Sequence, residues 1–514
     1  MSDTKQSGLK RTGLQVFNWF ESRLGLGQQI GEMSGHPTPV SAASWWYVFG
    51  SAAMVLLVMQ VMTGILLALV YSPSASNAWP SLQFINHDLT LGWFLRAMHG
   101  WGSDFMIAIV LIHMAQVFLF GAYKFPRELT WIVGVLLLLL TLGMAFTGQV
   151  LRFDQDAYWG LGIGASITGS IPLLGGPLVH LLLGGPIVGG ATLSRFFTLH
   201  VFVIPGLLLA FVGLHLLMVL KLGINEWPMP GRLVRKADYE KNYQALTKST
   251  GVPFAPDAAW KDAVFAAVIM LSVMACAWFL GPIGPSGVPD PTIIQTAPKP
   301  DLPFLWIFAV LAYLPPELET PLLLIAPPLL IGALLLLPLV AGEGEKHWSR
   351  RPVAVLMVTL IAVILGIFTR LGTYAPWSPQ MDAWSSYTVP AEYLEHRTPL
   401  ERRGAVVFQE KQCRDCHSLN KQGGMRGPAL DKVAADMTED QIIRQILQGG
   451  GNMPAYGKAL SPAETKALTS FLMTLHGHQR PAKDASLGMM PQNGTHPAAS
   501  AVPSAPATEN APAR

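Results

Sequence analysis

Seven apolar stretches, each close to the roughly 20 residues needed to cross a bilayer, constrain this 514-residue chain more than any other feature. Composition agrees, because 51% of the residues are hydrophobic and only 13% are charged, about half the charged fraction of a soluble domain. We therefore expect an all-α, seven-helix transmembrane bundle and exclude an ordinary soluble enzyme. The stretches cover residues 45–71, 105–122, 131–151, 196–220, 263–281, 320–341 and 352–369.

Two further apolar stretches do not qualify as membrane spans. Residues 171–193 are interrupted by glycine and proline, and residues 302–314 are too short, so we expect both to be interfacial or re-entrant. The N-terminus lacks a short apolar core followed by a cleavage site, so we expect no removable signal peptide.

Lys and Arg are distributed unevenly between the two sides of the expected bundle. Sixteen lie in the N-terminus and in the loops after the second, fourth and sixth stretches, whereas four lie in the loops after the first, third and fifth. The positive-inside rule then places the N-terminus in the cytoplasm, and seven crossings bring the C-terminus outside. Because the formal net charge is only +3 and no basic run occurs, we expect no nucleic-acid partner.

After the seventh stretch the composition becomes polar and defines a second part of the chain. Residues 371–397 are typical of a linker, and residues 398–478 carry enough charge and helical periodicity for a small all-α domain. Residues 479–514 are rich in Pro, Ala and Ser, which predicts a disordered tail.

This outer domain contains Cys413 and Cys416 followed by His417, the C-x-x-C-H pattern of covalent haem attachment with the histidine as an axial iron ligand. A zinc half-site is the alternative, but zinc needs two further ligands, and only His476 and His478 are near.

The opposite axial ligand of this haem should be a Met or His. Met453, in Gly-Asn-Met-Pro-Ala, is the first candidate and Met425 the second. The order Gly404, Phe408, the C-x-x-C-H motif, Gly-Pro-Ala-Leu at 427–430 and Met453 resembles a class I c-type cytochrome. Haem c is attached outside the cytoplasmic membrane, which agrees with the charge distribution.

Four histidines form two pairs in the second and fourth helices. His99 and His113 are 14 residues apart, and His200 and His215 are 15 apart, so the separations miss four full turns by −40° and +60° and each pair shares roughly one helix face. Any one of these histidines alone is equally well explained by a hydrogen bond to a neighbouring helix. As pairs in parallel helices, His99 with His200 and His113 with His215 predict two bis-histidine haem b sites about 21 Å apart.

Two arginines lie close to the expected outer pair. Arg96 is three residues before His99 and Arg195 is five before His200, and a charge near membrane depth needs an anionic partner. We expect haem propionates to be that partner, although an arginine that reaches the membrane surface is an equally good explanation for each.

Leu-Arg-Ala-Met-His at 95–99, Pro-Arg-Glu-Leu-Thr-Trp at 126–131 and Ser-Arg-Phe-Phe-Thr-Leu-His at 194–200 resemble cytochrome b of the quinol–cytochrome c oxidoreductases. The histidine spacing and seven-helix count are similar to the chloroplast and cyanobacterial branch. The resemblance implies a dihaem domain at residues 1–222 and a subunit IV-like domain at 223–370. No cysteine occurs where that branch attaches a third haem, around residues 46–50, so we do not expect that attachment.

The family oxidises quinol near the outer surface with a Pro-Glu-Trp-Tyr motif, whose carboxylate takes a quinol proton. Here Pro-Asp-Leu-Pro at 300–303 precedes Phe-Leu-Trp, so the resemblance assigns that acid to Asp301. Glu317, in Pro-Glu-Leu, is the competing candidate. Arg152 is a departure, because it stands where the family usually has a proline.

The resemblance implies the core subunit of a quinol:cytochrome c oxidoreductase that works by a Q-cycle in a bacterial cytoplasmic membrane. Its cofactors would be two haems b, one haem c and quinone. Its partners would be a separate Rieske iron–sulfur protein, the quinone pool, a downstream cytochrome c or oxidase, and a second copy of the chain. The alternative is a non-bifurcating dihaem conduit or anchor.

Overall fold

The structure is a computed structural model. It describes residues 15, 18–25, 27–28, 31, 34–169, 171–184, 188–285, 287–289, 299–314, 316–374, 388–423, 427–449, 453, 455–457 and 459–477. The predicted tail at 479–514, Met425, His478 and residues 375–387 of the predicted linker lie outside the described residues.

Thirteen described helices precede residue 375, and seven stretches among them are long and apolar enough to cross a membrane. The all-α, seven-span prediction is thus confirmed. The spans are α1, α3, α4, α7 together with α8, α10, α12 and α13. The helices are α1 Phe49–Ala68, α2 Ala78–Gln83, α3 Gly92–Leu119, α4 Glu128–Leu151, α5 Gln155–Gly169, α6 Gly175–Leu183, α7 Gly190–Thr198, α8 Ile204–Leu222, α9 Tyr239–Thr250, α10 Ala259–Leu280, α11 Leu305–Tyr313, α12 Pro316–Val340 and α13 Pro352–Tyr374.

The fourth span is not a regular α-helix. Between α7 and α8 the chain makes a π-helical turn at Leu199–Val203, which contains His200, and Pro205 follows one residue later. A π-turn accommodates an extra residue within a helix. The 15-residue interval between His200 and His215 therefore spans nearly the same number of turns as the 14-residue interval on α3.

Helices from both predicted membrane domains pack against one another. Helix α3 packs against α1 and α10, α4 packs against α8 and α12, and the short helix α11 packs against α13. Many apolar side chains on these helices point outward, as expected for surfaces that face lipid. Among the described residues, the stretch 171–193 contains α6 and the start of α7, and the stretch 302–314 contains the short helix α11.

On the side predicted to be cytoplasmic, short strands and buried cations hold the loops together. Strands β1 (Pro37–Pro39) and β3 (Gly251–Pro253) pair, as do β2 (Leu233–Val234) and β4 (Gly344–Glu345). Lys346 Nζ lies 3.0 Å from Glu226 Oε1, and Arg127 Nη1 donates to Tyr239 Oη at 2.6 Å. Lys346 and Arg127, which were counted in the prediction of membrane orientation, therefore also hold these loops together.

The C-terminal domain is a small helical fold. Its elements are α14 Pro399–Glu410, strands β5 Ser418–Leu419 and β6 Gln422–Gly423, and helices α15 Val433–Asp436, α16 Glu439–Gln448 and α17 Pro462–Leu472. Capping boxes start α14, α16 and α17 at Thr398, Thr438 and Ser461. Helices α14 and α17 cross closely at Gly404, where a Cβ would lie 2.0 Å from the Ala467 carbonyl oxygen. Only glycine permits this crossing.

Candidate cofactor-binding sites

The outer histidine pair has its two imidazoles close together within the bundle. The ring centres of His99 on α3 and His200 in the π-turn are 6.2 Å apart. Two metal–nitrogen bonds of about 2 Å, plus roughly 1.1 Å from each nitrogen to its ring centre, require about the same separation. The separation therefore leaves room for one iron between the two rings, which would be held by His99 and His200.

Hydrogen bonds to threonines set the tautomer of this pair. Thr63 Oγ1 lies 2.9 Å from His99 Nδ1, and Thr147 Oγ1 lies 3.0 Å from His200 Nδ1. Each hydroxyl already donates its proton to a carbonyl oxygen of its own helix, that of Met59 or Gly143, at 2.8 Å. Each threonine oxygen can then only accept, so the proton of each histidine is on Nδ1. The Nε2 lone pair of both rings is left free for a metal.

The inner pair, His113 on α3 and His215 on α8, lies about 21 Å deeper along the bundle. Within the described residues His113 Nδ1 makes no hydrogen bond, and His215 Nδ1 has only the Thr130 backbone carbonyl near it. No threonine plays the role that Thr63 and Thr147 play at the outer pair.

Each of the four histidines faces a glycine, and the glycines lie 14 residues apart on α1 and on α4. A side chain there would occupy the space beside the imidazole, so the glycines leave room for a flat group between the helices. The distances from a Cβ built on the glycine to the histidine Cε1 are 3.2 Å at Gly64–His99, 2.8 Å at Gly148–His200, 3.4 Å at Gly50–His113 and 3.7 Å at Gly134–His215.

The two arginines predicted to contact haem propionates differ in their surroundings. Arg96 is buried and donates to the backbone carbonyls of Ile283 and Gly284, each at 2.7 Å, so it clamps the connection after α10. Arg195 is exposed and donates to the Ala191 carbonyl at 3.3 Å. Propionate binding stays a prediction for both, and the structure gives Arg96 a structural role besides.

The C-x-x-C-H motif lies against the core of the C-terminal domain. His417 is buried, and its Nδ1 lies 2.8 Å from the Pro428 carbonyl oxygen, which can only accept. The proton is therefore on Nδ1 and the Nε2 lone pair is free. Burial also lowers the pKa of His417, which favours the neutral imidazole that a metal requires. A Cβ on Gly427 would lie 2.4 Å from its Cε1.

Met453, the predicted second ligand of this haem, packs against the core of the same domain, where Gln445 Nε2 lies 3.7 Å from its sulfur. Cys413 packs against that core as well. The donor set, two thiols with a neutral imidazole and a nearby thioether, fits a covalently attached haem. Met453 stays the predicted sixth ligand.

Asp301 lies at the outer end of the bundle, where it precedes the helical turn Leu302–Phe304. Its Oδ1 is 2.9 Å from Arg152 Nη1, and 27% of its side chain is exposed. Burial raises the pKa of Asp301, and Arg152 opposes that rise. The Asp301 backbone N–H points to Gln149 Oε1 at 3.4 Å, and Gln149 directly follows the glycine that faces His200. A hydrogen bond thus links Asp301 to the part of α4 that packs on His200.

Several residues of these sites were not anticipated from the sequence. They are the two threonines, the four glycines and the partnership of Arg152 with Asp301. The glycines could have been found from the sequence, because the 14-residue intervals Gly50–Gly64 and Gly134–Gly148 match the interval between His99 and His113. Asp301 and Arg152 are 149 positions apart, and nothing in the sequence pairs them. The side chain of Glu317, the competing acid, lies outside the described residues.

A helical bundle with two histidine pairs inside it, in which each histidine faces a glycine, is typical of a membrane cytochrome of the b type. The chain belongs to the cytochrome b/b6 family, because the family model "Cytochrome b/b6/petB" matches residues 33–223 and relatives more than 30% identical are covered almost completely. It is 37% identical to cytochrome b6 of Heliobacterium mobile over 41% of this chain and 99% of that protein. It is 36% identical to cytochrome b6 of Cyanothece sp. over 42% and 96%.

The comparisons extend beyond the first domain. A solved chain described as "Hyperthermophilic respiratory Complex III" is similar with a TM-score of 0.58 and 28% identity, over 71% of this chain and 92% of that chain. Residues 399–472 match the family "Cytochrome C oxidase, cbb3-type, subunit III". The protein is therefore a haem-containing electron-transport subunit, a cytochrome b6-like integral membrane subunit of a bc-type complex with a fused cytochrome c domain.

Proposed function

We propose that the protein is the core of a quinol:cytochrome c oxidoreductase that oxidises quinol at its outer face. The observation that carries this proposal is the position of Asp301, a half-buried carboxylate connected through Gln149 to the segment that packs on His200. A proton acceptor and an electron acceptor at one end of a bundle are what quinol oxidation requires. The second histidine pair would hold a group that accepts the electron near the other membrane face.

The histidine pairs would hold two haems b, and Cys413, Cys416 and His417 with Met453 one haem c; when bound, these groups supply one-electron transfer. Asp301 takes a proton from the quinol hydroxyl. Burial raises its pKa toward the working pH, which strengthens it as a base, and Arg152 keeps it ionised until the proton arrives. Because the base must be ionised, quinol oxidation slows as the pH falls through the pKa of Asp301.

The two electrons of quinol would separate, as in a Q-cycle. One passes to a Rieske iron–sulfur protein on another chain and on to the fused cytochrome c domain. The other crosses the membrane and reduces quinone at the inner face. This separation couples oxidation to proton translocation. It requires the N-terminus inside and the cytochrome c domain outside a bacterial cytoplasmic membrane, with a downstream cytochrome or oxidase and, as the family suggests, a second copy of the chain.

The test is the rate of haem b reduction by quinol in the purified complex of an Asp301→Asn variant. Loss of a general base costs about 100-fold or more, whereas Asp301→Glu should keep most of the activity. Glu317→Gln is the comparison variant and should oxidise quinol at the wild-type rate. A normal rate in Asp301→Asn together with loss of activity in Glu317→Gln would transfer the role to Glu317.

A further inference from the structure

One buried charge of the C-terminal domain has no role so far. The side chain of Arg414, between the two cysteines of the C-x-x-C-H motif, is fully buried. Its Nε, Nη1 and Nη2 atoms make no hydrogen bond with the described residues. An unpaired charge is costly to remove from water, so buried guanidinium groups normally bind carboxylate or carbonyl oxygens. A charge that is kept at such a cost to stability is a candidate for a function.

The hairpin of β5 and β6 covers Arg414 and places it beside the predicted iron ligand. A Cβ built on Gly423 of β6 would lie 3.2 Å from Arg414 Nε and 2.7 Å from the carbonyl oxygen of His417. The guanidinium is thus within a few ångströms of the His417 backbone. The motif is also tightly turned, because the His417 N–H donates to the Cys413 carbonyl oxygen at 3.0 Å. Gly423 has a φ of +113°, which favours glycine in this cover.

The surroundings of Arg414 do not neutralise it at close range. Among the described residues of this domain it is the only buried Lys, Arg, Asp or Glu. The nearby acid is Asp431, whose Oδ1 accepts hydrogen bonds from Tyr393 Oη and from the Asn420 backbone N–H at 2.7 Å. None of the guanidinium nitrogens is hydrogen-bonded to Asp431. Arginine stays protonated in proteins at neutral pH, so a full positive charge is enclosed beside His417.

We propose that Arg414 raises the reduction potential of haem c through the field of its buried charge. Ferric haem carries one positive charge more than ferrous haem, so a fixed cation nearby disfavours the ferric form. In the step concerned, one electron passes from the donor, which is the Rieske protein in the proposed function, to ferric haem c, and no bond is made or broken. At roughly 10 Å and an effective dielectric constant of about 20, one charge changes the ratio of reduced to oxidised haem about tenfold.

The inference rests on the haem c assignment of the proposed function. Failure of that assignment would be seen separately, as wild-type protein in which pyridine haemochrome spectra detect no covalently bound haem. A buried charge also differs from a surface charge in one measurable way. Dissolved ions screen charges at the surface and screen enclosed charges much less, so the effect of Arg414 is insensitive to salt.

The experiment is a redox titration of haem c, followed by its absorption band, in the purified complex of the Arg414→Met variant. Methionine is also long and unbranched but carries no charge. At a fixed potential the ratio of reduced to oxidised haem c should fall about tenfold, which corresponds to a midpoint about 59 mV lower for a one-electron couple. The difference should persist when NaCl is raised to about 1 M. Arg414→Lys retains the charge and should restore the ratio.

The matched control is Arg444→Met, the same substitution at an exposed arginine of the same domain. Any effect of this control should vanish in about 1 M NaCl. Because Arg414→Met removes an unpaired buried charge, it should also make the haem c domain more resistant to denaturant. A lower potential in a destabilised domain would instead reflect greater exposure of the haem to water and would overturn the inference.

Two further outcomes would also overturn it. One is an unchanged ratio in Arg414→Met, or a change of equal size in Arg444→Met at high salt. The other concerns haem attachment. If Arg414→Met does not attach haem c, Arg414→Gln takes its place with the same expectation for the ratio. Loss of haem c in both variants would mean that Arg414 serves attachment and not the potential.

Discussion

The outer and inner histidine pairs have almost the same spacing in the sequence and different surroundings in the structure. Both outer imidazoles are bound by threonine hydroxyls, one of them lies in a π-turn, and their glycines approach to 3.2 and 2.8 Å. Among the described residues no threonine hydroxyl binds the inner imidazoles, and a Cβ on their glycines would lie 3.4 and 3.7 Å from the histidine Cε1 atoms. The same histidine spacing is therefore compatible with different contacts around the imidazoles.

The difference has an electronic consequence. A hydrogen bond from Nδ1–H to an acceptor makes an imidazole a stronger electron donor to the metal, which stabilises the oxidised form. We therefore expect a lower midpoint potential at the outer site than at the inner site. Electrons that enter from the outer face would then move spontaneously to the inner pair.

Removal of one ligand should have the largest effect. Wild-type complex should contain two haems b for each haem c, and either His200→Leu or His113→Leu should reduce that ratio to one to one, because a bis-histidine site loses an axial ligand. Redox titration should show that His200→Leu removes the lower-potential component and His113→Leu the higher. Wild-type complex with any other haem ratio would refute the ligand assignment.

Substitution of the glycines should affect the outer site more than the inner site, because the outer site has less free space beside the imidazole. In Gly148→Ala the new methyl carbon would lie 2.8 Å from His200 Cε1, so the ring must shift, and we expect most of the outer haem to be lost. In Gly134→Ala the distance is 3.7 Å, an ordinary contact, and the inner haem should remain. Gly206→Ala, on α8 with no atom within 4 Å, is the control. Equal haem content in the two variants, measured by pyridine haemochrome spectra, would contradict the ranking.

The threonine hydrogen bond should have the smallest of these effects. Thr147→Val removes one acceptor from His200 and should raise the midpoint potential of the outer haem by about 20–60 mV, which corresponds to one hydrogen bond in a one-electron couple. Thr141→Val is the matched control, because Thr141 lies on the same helix and binds only the Leu137 carbonyl. A shift of the same size in both variants would mean that the potential responds to packing alone.

The seven spans and the b and c cytochrome classes could be read from the sequence, because apolar runs and ligand spacings are local patterns. The extra residue between His200 and His215 was visible as well, but not the π-turn that absorbs it. Pro205 lies within this interval, and the irregularity lies in the turn just before it. The physical cause is the missing N–H of proline, which leaves the preceding turn free to widen.

Contacts between distant segments were beyond sequence reasoning. Thr63 and Thr147 are ordinary helix residues until the fold brings His99 and His200 to them, 36 and 53 positions away. Arg152 could be seen only as a departure from a family pattern. Its role depends on which carboxylates the fold brings to it.

The strand pairs on the side predicted to be cytoplasmic hold together the chain segments before and after residues 235–238, so the peptide bonds there are not needed for cohesion. After a cut at 235–238, three contacts would still join the two pieces: β2 with β4, β1 with β3, and Arg127 with Tyr239. A complex nicked there should run as two bands on a denaturing gel and as one particle in mild detergent. The fusion of the domains would then ensure equal numbers of the two halves, while their cohesion would come from the loops.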